Sequence, residues 1–330
     1  GRYEEKMKFK SDSRFFKELK NSEFNSYSGI ILVIIAVSVF MAFRSRNFIT
    51  ANNVLNILRQ ISVYGILACG MAFTMMTGGI DLTVGAVAGV SGAISALLIT
   101  KTGAGLVPAV AASLAAGAFM GWISGFIIAK SNIPPFIMTL GMQITLRGVC
   151  YLVCDGKPIG NLPDSFTFLG LGSVFGIPVP IYFMILTFII VGIILSKTSF
   201  GRSVYATGGN YQAAFHSGIN AKRVLLLSYV ISGICAALAG IILAARNASA
   251  QPTAGNTFET EAIAACAMGG VSFSGGKGAV PGIFFGALLM GIINNAMNLM
   301  YISSYWQQVV KGAIIIGAVL YSIYNSRTNK

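Results

Sequence analysis

From residue 27 onward the chain alternates apolar runs of roughly twenty residues with short polar breaks, and few folds can accommodate that alternation. An α-helix of about that length crosses the ~30 Å hydrocarbon core of a bilayer. Reading the runs in order places ten spans. They lie at about 27–43, 53–76 (mixed over 53–62), 82–100, 106–128, 136–153, 179–196, 224–245, a short one at 261–272, then 280–300 and 306–324. Composition agrees: 10% of residues are charged, against about 25% in soluble domains, and the mean hydropathy is +0.75. The expected fold is an all-α polytopic membrane protein. A polar segment over 1–26 precedes one transmembrane domain over 27–324, with a short tail over 325–330. The first apolar run starts far into the chain and has no A-x-A-like cleavage site, so it is expected to stay as a span.

A net charge of +13 could point to nucleic acid, but the basic residues are distributed otherwise. Seven of the 23 lie in residues 1–20, mixed with acids, and most others flank apolar runs. With ten spans and both termini inside, eight basic residues and no acid fall inside: Lys130, Lys197, Arg202, Lys222, Arg223, Lys277, Arg327 and Lys330. Five fall outside (Arg44, Arg46, Lys101, Lys157, Arg246), together with Asp155, Asp164, Glu259 and Glu261. The Lys/Arg excess predicts cytoplasmic termini. Five cysteines in or beside apolar runs and a single histidine exclude a disulfide framework and leave Cys150 and Cys154 a poor metal site.

The longest clearly polar interruption between strongly apolar runs, 197–223, is basic, acid-free and expected on the cytoplasmic side. Gly208-Gly209-Asn210 reads as breaker and cap, 211–217 as about two helical turns, and Gly218 as the stop. So short a helix does not hold itself in water and needs a surface to lie on. Its small residues, Ala213 and Ala214, allow another surface to approach closely.

Gln212-Ala213-Ala214 followed three residues later by Gly218 resembles the Glu-Ala-Ala-x-x-x-Gly loop of ABC-importer permeases, with Gln212 in place of the usual acid. GGIDLTVG (78–85), PPFIMTLG (134–141), SAQPTAG (249–255), GGVSFSGGKG (269–278) and YWQQVVKG (305–312) are similar to stretches of the ribose/galactose/xylose permeases, in that family's order, over roughly 28–324. The resemblance implies a subunit of a bacterial cytoplasmic (inner) membrane importer for a monosaccharide. It also implies a separate ABC ATPase that binds the ATP, an extracytoplasmic sugar-binding protein, and a second permease copy, identical or related. Coupling to the ATPase falls on Gln212, Ala213, Ala214 and Gly218. The Gly275-Gly276-Lys277-Gly278 turn lacks the first glycine and the Ser/Thr of a phosphate loop, so the chain itself is not expected to be an enzyme.

Four polar residues at membrane depth are candidates for the pathway. Asp81 is either a gate or half of an ion pair with Arg147 or Arg59, because a lone carboxylate there costs about 2.5–3.5 kcal/mol. Asn294, Asn295 and Asn298 form a stripe whose amides suit a hydroxyl-rich neutral solute or bonds between helices. The rival reading, an ion-gradient-driven transporter of a small neutral solute, would have Asp81 as its coupling acid. GGIDLTVGAVAG from Gly78 and GGVSFSGGKGAVPG from Gly269 form a weak internal repeat, explained equally by a duplicated scaffold or by the likeness of glycine-rich turns.

Overall fold

A computed structural model describes residues 27–131 and 133–328, so the expected segment 1–26 lies outside the described residues. Each of the ten expected spans is one helix: α1 (Tyr27–Arg44), α2 (Ala51–Met76), α3 (Val84–Thr102), α4 (Leu106–Ser131), α5 (Pro135–Val153), α7 (Val179–Lys197), α10 (Ala221–Arg246), α11 (Phe258–Met268), α12 (Val280–Leu299) and α13 (Ser304–Thr328). Three shorter helices lie between them: α6 (Asp164–Leu171), α8 (Ser199–Gly209) and α9 (Tyr211–His216). Among the described residues, eight helices are long and apolar enough to cross a membrane, α11 and α13 being the other two of the ten. At 1.5 Å per residue, the 11 residues of α11 reach only about 16 Å. α13 is 25 residues long, carries Gln307, Gln308 and Lys311 in its first turns, and continues through 325, where a tail was expected to begin.

Burial follows the solvent a membrane supplies. On α7, Ile185, Leu186, Ile189, Ile190 and Ile193 are exposed, while Met184, Thr187, Val191 and Leu195 on the opposite face are buried. An outward stripe more apolar than the inward one is stable only against lipid. α2 and α10 form the centre, with Phe73, Met71, Ile66, Tyr229 and Ile241 fully buried. The ridge Gly117, Gly121, Gly125 of α4 lies directly on α10: a Cβ on Gly121 would stand 2.2 Å from the Tyr229 carbonyl oxygen. This is the close helix packing expected of a doubled G-x-x-x-G.

Two breaks bring helix ends into the interior of the bundle. After α2, Gly78 takes a φ of 83° and the chain turns back, so that α3 starts beside the middle of α10, where Ser232 reaches Asp81. The segment between α10 and α11 likewise runs inward, and α11 starts against the first turn of α3. A Cβ on Gly85 would stand 2.2 Å from the Gly255 carbonyl oxygen and 2.6 Å from Glu259 Oε2, so neither chain can approach unless both positions are glycine. The two repeat-like loops also touch, since the Gly276 amide donates to the Met76 carbonyl at 2.8 Å.

At the far end of α10, the expected long outer loop is built rather than irregular. It contains α6 and a hairpin of β1 (Ser173–Val174) and β2 (Ile177–Pro178). Ile159 and Ala250 exchange backbone bonds of 2.8 and 2.9 Å, which tie this loop to the segment after α10.

Candidate functional site

A chamber of about 390 Å³ opens at the end of the molecule where α10 terminates, within the usual ~300–1,000 Å³ range of small-ligand sites. α2 lines it with Asn56, Arg59, Gln60 and Tyr64, one helical face by spacing. α12 contributes Asn294 and Asn298, α13 contributes Gln307 and Lys311, and Arg246 and Leu171 complete the rim. Within it, Gln307 Nε2 donates to Asn298 Oδ1 at 2.9 Å, and Asn294 Nδ2 donates to Glu261 Oε2 at 3.3 Å. Glu261, only 2% exposed, forms an ion pair with Lys311. Two buried atoms of the chamber lining are left without a hydrogen-bond partner: Arg59 Nε and Asn294 Oδ1.

The four pathway candidates therefore separate. Asn294 and Asn298 line the chamber. Asn295 is one position out of register and exchanges two amide bonds with Asn53, of 2.8 and 3.0 Å, joining α12 to the start of α2. Asp81 lies elsewhere, 1% exposed. Its Oδ1 accepts from the Thr83 amide at 3.0 Å and from the Thr83 hydroxyl, and its Oδ2 accepts from Ser232 at 2.7 Å.

The expected ion pair of Asp81 with Arg147 or Arg59 is not formed. Arg147 instead donates to the carbonyls of Ala254 (2.6 Å) and Pro252 (3.3 Å), and Arg59 faces the chamber. Asp81 sits where the first amides of α3 are unpaired, and hydroxyl and amide donors at a helix N-terminus satisfy a carboxylate without a cation. Two acids assigned to the outer loop are also corrected. Glu259 and Glu261 are buried, because the chain re-enters before α11. Glu259 Oε1 accepts from Gln143 at 3.0 Å.

The opposite end presents the polar interruption. Asn210 caps α9 by accepting the Ala213 amide at 2.9 Å, and Gly218 ends the turn with a φ of 83°. Gln212, Ala213 and Gly218 are exposed, as are the Tyr211 and Phe215 rings. Ala214 is not available for close approach: at 5% exposed it points inward and seats the helix on its own chain. The helix is one residue shorter than the expected 211–217, and the glycines expected as breakers finish α8.

α8 escaped sequence reading because it is short and polar, but it is the link to the interior. Gly208 lies so close to the Met76 carbonyl and the Gly276 amide that a Cβ would overlap both. Tyr205 Oη donates to the Gly278 carbonyl at 2.9 Å. Burial, then the nearby Tyr27 phenol, pushes the Tyr205 phenol above its usual range, which keeps the proton it donates. Beside α8 and α9 a groove of about 470 Å³ runs past Ser199, Ser203, Gly218 and Arg223.

A bundle of membrane-crossing helices, with broken segments meeting at its centre and a polar chamber at one end, defines a multi-span permease. Residues 53–319 match the family described as "Branched-chain amino acid transport system / permease component", and the chain belongs to that family. It is 42% identical to the ribose import permease protein RbsC of Escherichia coli (strain K12) over 314 residues, 94% of this chain and 96% of that protein. It is 43% identical over 296 residues to the RbsC of Bacillus subtilis (strain 168), 89% of this chain and 90% of that protein. With the L-arabinose transport system permease protein AraH of Escherichia coli (strain K12) the identity is 38% over 302 residues, 92% of each chain. No solved structure matches the chain significantly.

Proposed function

We propose that this chain is the membrane-spanning permease subunit of a binding-protein-dependent ABC importer for a monosaccharide, in the bacterial cytoplasmic membrane. The observation that carries the reading is the pairing of sugar-permease relatives along nearly the whole chain with a hydroxyl-compatible chamber at one end and an exposed short helix at the other. In this reading the termini and α9 face the cytoplasm. A partner ATPase binds and hydrolyses the ATP and docks on α9 through Gln212, Ala213 and Gly218, with Ala214 holding the helix in place. A sugar-binding protein delivers solute to the end formed by α6, the hairpin and the chamber. A second permease copy completes the pathway, in which Asn294 and Asn298 face the solute while Asn295 and Asp81 hold the helices.

The route from α9 to the chamber has named parts. α8 is joined to α9 through the single residue Asn210 and grips the end of α2 and the loop before α12, and the far ends of α2 and α12 line the chamber. ATP-driven closure moves the transporter only by the difference in contacts that it makes with its two states. The test is reconstitution with the ATPase and binding protein in vesicles. Ribose uptake that needs ATP and a loaded binding protein is expected. Ala213→Glu, a charge on the exposed face, is expected to lower uptake per ATP hydrolysed while the ATPase stays bound. Uptake without any ATPase, or normal coupling in that variant, overturns the respective part.

A further inference from the structure

We propose that the chamber is itself a solute subsite, selective for a polyhydroxylated molecule without positive charge, with Asn294 Oδ1 accepting from one hydroxyl and Arg59 Nε donating to another. The inference rests on the importer reading and deepens it by assigning recognition to the permease as well as to the binding protein. Its basis is an imbalance in the chamber wall. Asn294 is 6% exposed and lines the chamber, and while its amide nitrogen donates to Glu261 its carbonyl oxygen has no partner. An orphaned buried acceptor costs about 1–3 kcal/mol, so its native partner is expected to be something that comes and goes. Arg59 Nε is orphaned in the same chamber. A sugar hydroxyl both donates and accepts, so a single class of ligand satisfies both atoms.

Charge decides which solutes are rejected. Arg59, Arg246 and Lys311 line the chamber, and only Lys311 is paired with a carboxylate among the described residues. Two guanidinium groups without a carboxylate partner repel an ammonium that enters the chamber. Guanidinium N–H groups donate to hydroxyl oxygens without requiring ligand charge, and the Tyr64 ring adds apolar wall for the C–H side of a sugar.

The permease–ATPase complex in lipid nanodiscs, without the binding protein, provides the test. Leu171→Cys places a thiol on the chamber rim, away from the polar groups that face the solute, and the five native cysteines are all buried. The readout is the rate of modification by a hydrophilic maleimide. Ribose is expected to slow it several-fold and glucosamine, a cation, to leave it nearly unchanged. Adding Asn294→Leu is expected to raise the half-protecting ribose concentration about tenfold, the equivalent of one lost hydrogen bond. Arg59→Gln, at a less buried position, does the same should the leucine variant fold poorly. Absence of protection by ribose, equal protection by glucosamine, or unchanged protection in a folded variant at either position overturns the proposal. ATPase stimulation by the loaded binding protein is measured alongside. Stimulation without protection removes only the subsite, whereas loss of both removes the importer reading.

Discussion

Replacing Lys311 by methionine keeps most of the side-chain volume and removes the charge that faces Glu261. The carboxylate is 2% exposed and retains only the Asn294 amide, at 3.3 Å, as a donor. Breaking a buried ion pair from one side costs about 3–5 kcal/mol, whereas removing both charges is often nearly neutral. Taking ~2.1 cal/mol/K of unfolding entropy per residue, a chain of 330 residues converts that loss to a fall of about 4–7 °C in Tm. Lys311→Met is therefore expected to melt about 4–7 °C lower, and Lys311→Met/Glu261→Gln within ~2 °C of the parent. Thermal unfolding of the purified protein, followed by monodispersity after heating, measures both. A single variant as stable as the parent, or a double variant as unstable as the single, would refute the claim that an unpaired buried charge is the cause.

Gly85→Val pushes a side chain into the Gly255 carbonyl and Glu259 and is expected to cost ~3 kcal/mol or more, while Gly148→Ala, whose Cβ meets nothing within 4 Å, should be neutral or stabilising. Comparable thermal stability of the two variants would contradict the close approach of α3 and α11. Asn295→Ala breaks the two bonds with Asn53 and is expected to lower stability by about 1–3 kcal/mol without altering ribose protection of the chamber. Altered protection would place Asn295 on the solute path after all.

The membrane spans were legible because a bilayer demands long apolar helices, and nothing in the sequence competes with that demand. What a run of apolar residues does not reveal is depth. Glu259 and Glu261 follow a polar stretch and read as outer-loop acids, yet re-entry of the chain buries both, and only the smallness of Gly85 and Gly255 hints at it. Asp81 was correctly read as needing a partner, but a cation was expected where a threonine, a serine and a helix end suffice. The chamber was half legible: Asn294 and Asn298 stood out in an apolar run, whereas the α2 face passed as the polar start of a span. α8 was passed over because it is short and weakly apolar, although Phe200, Val204 and Tyr205 recur at helical spacing and Val204 and Thr207 are buried.

The fastenings between α2 and α12 constrain what can move. At one end, the Asn53 and Asn295 amides clasp each other; at the other, the carbonyl that closes α2 takes the Gly276 amide just ahead of α12. Between them, Gly291 gives Ile61 a seat with no room for a Cβ. Two rods riveted at both ends cannot slide or roll past each other without releasing at least one rivet. The smallest mobile part is consequently a plank of two helices, and sliding occurs along its outer faces. A motion traced by a label on α2 alone should be reproduced, in amplitude and timing, by one on α12.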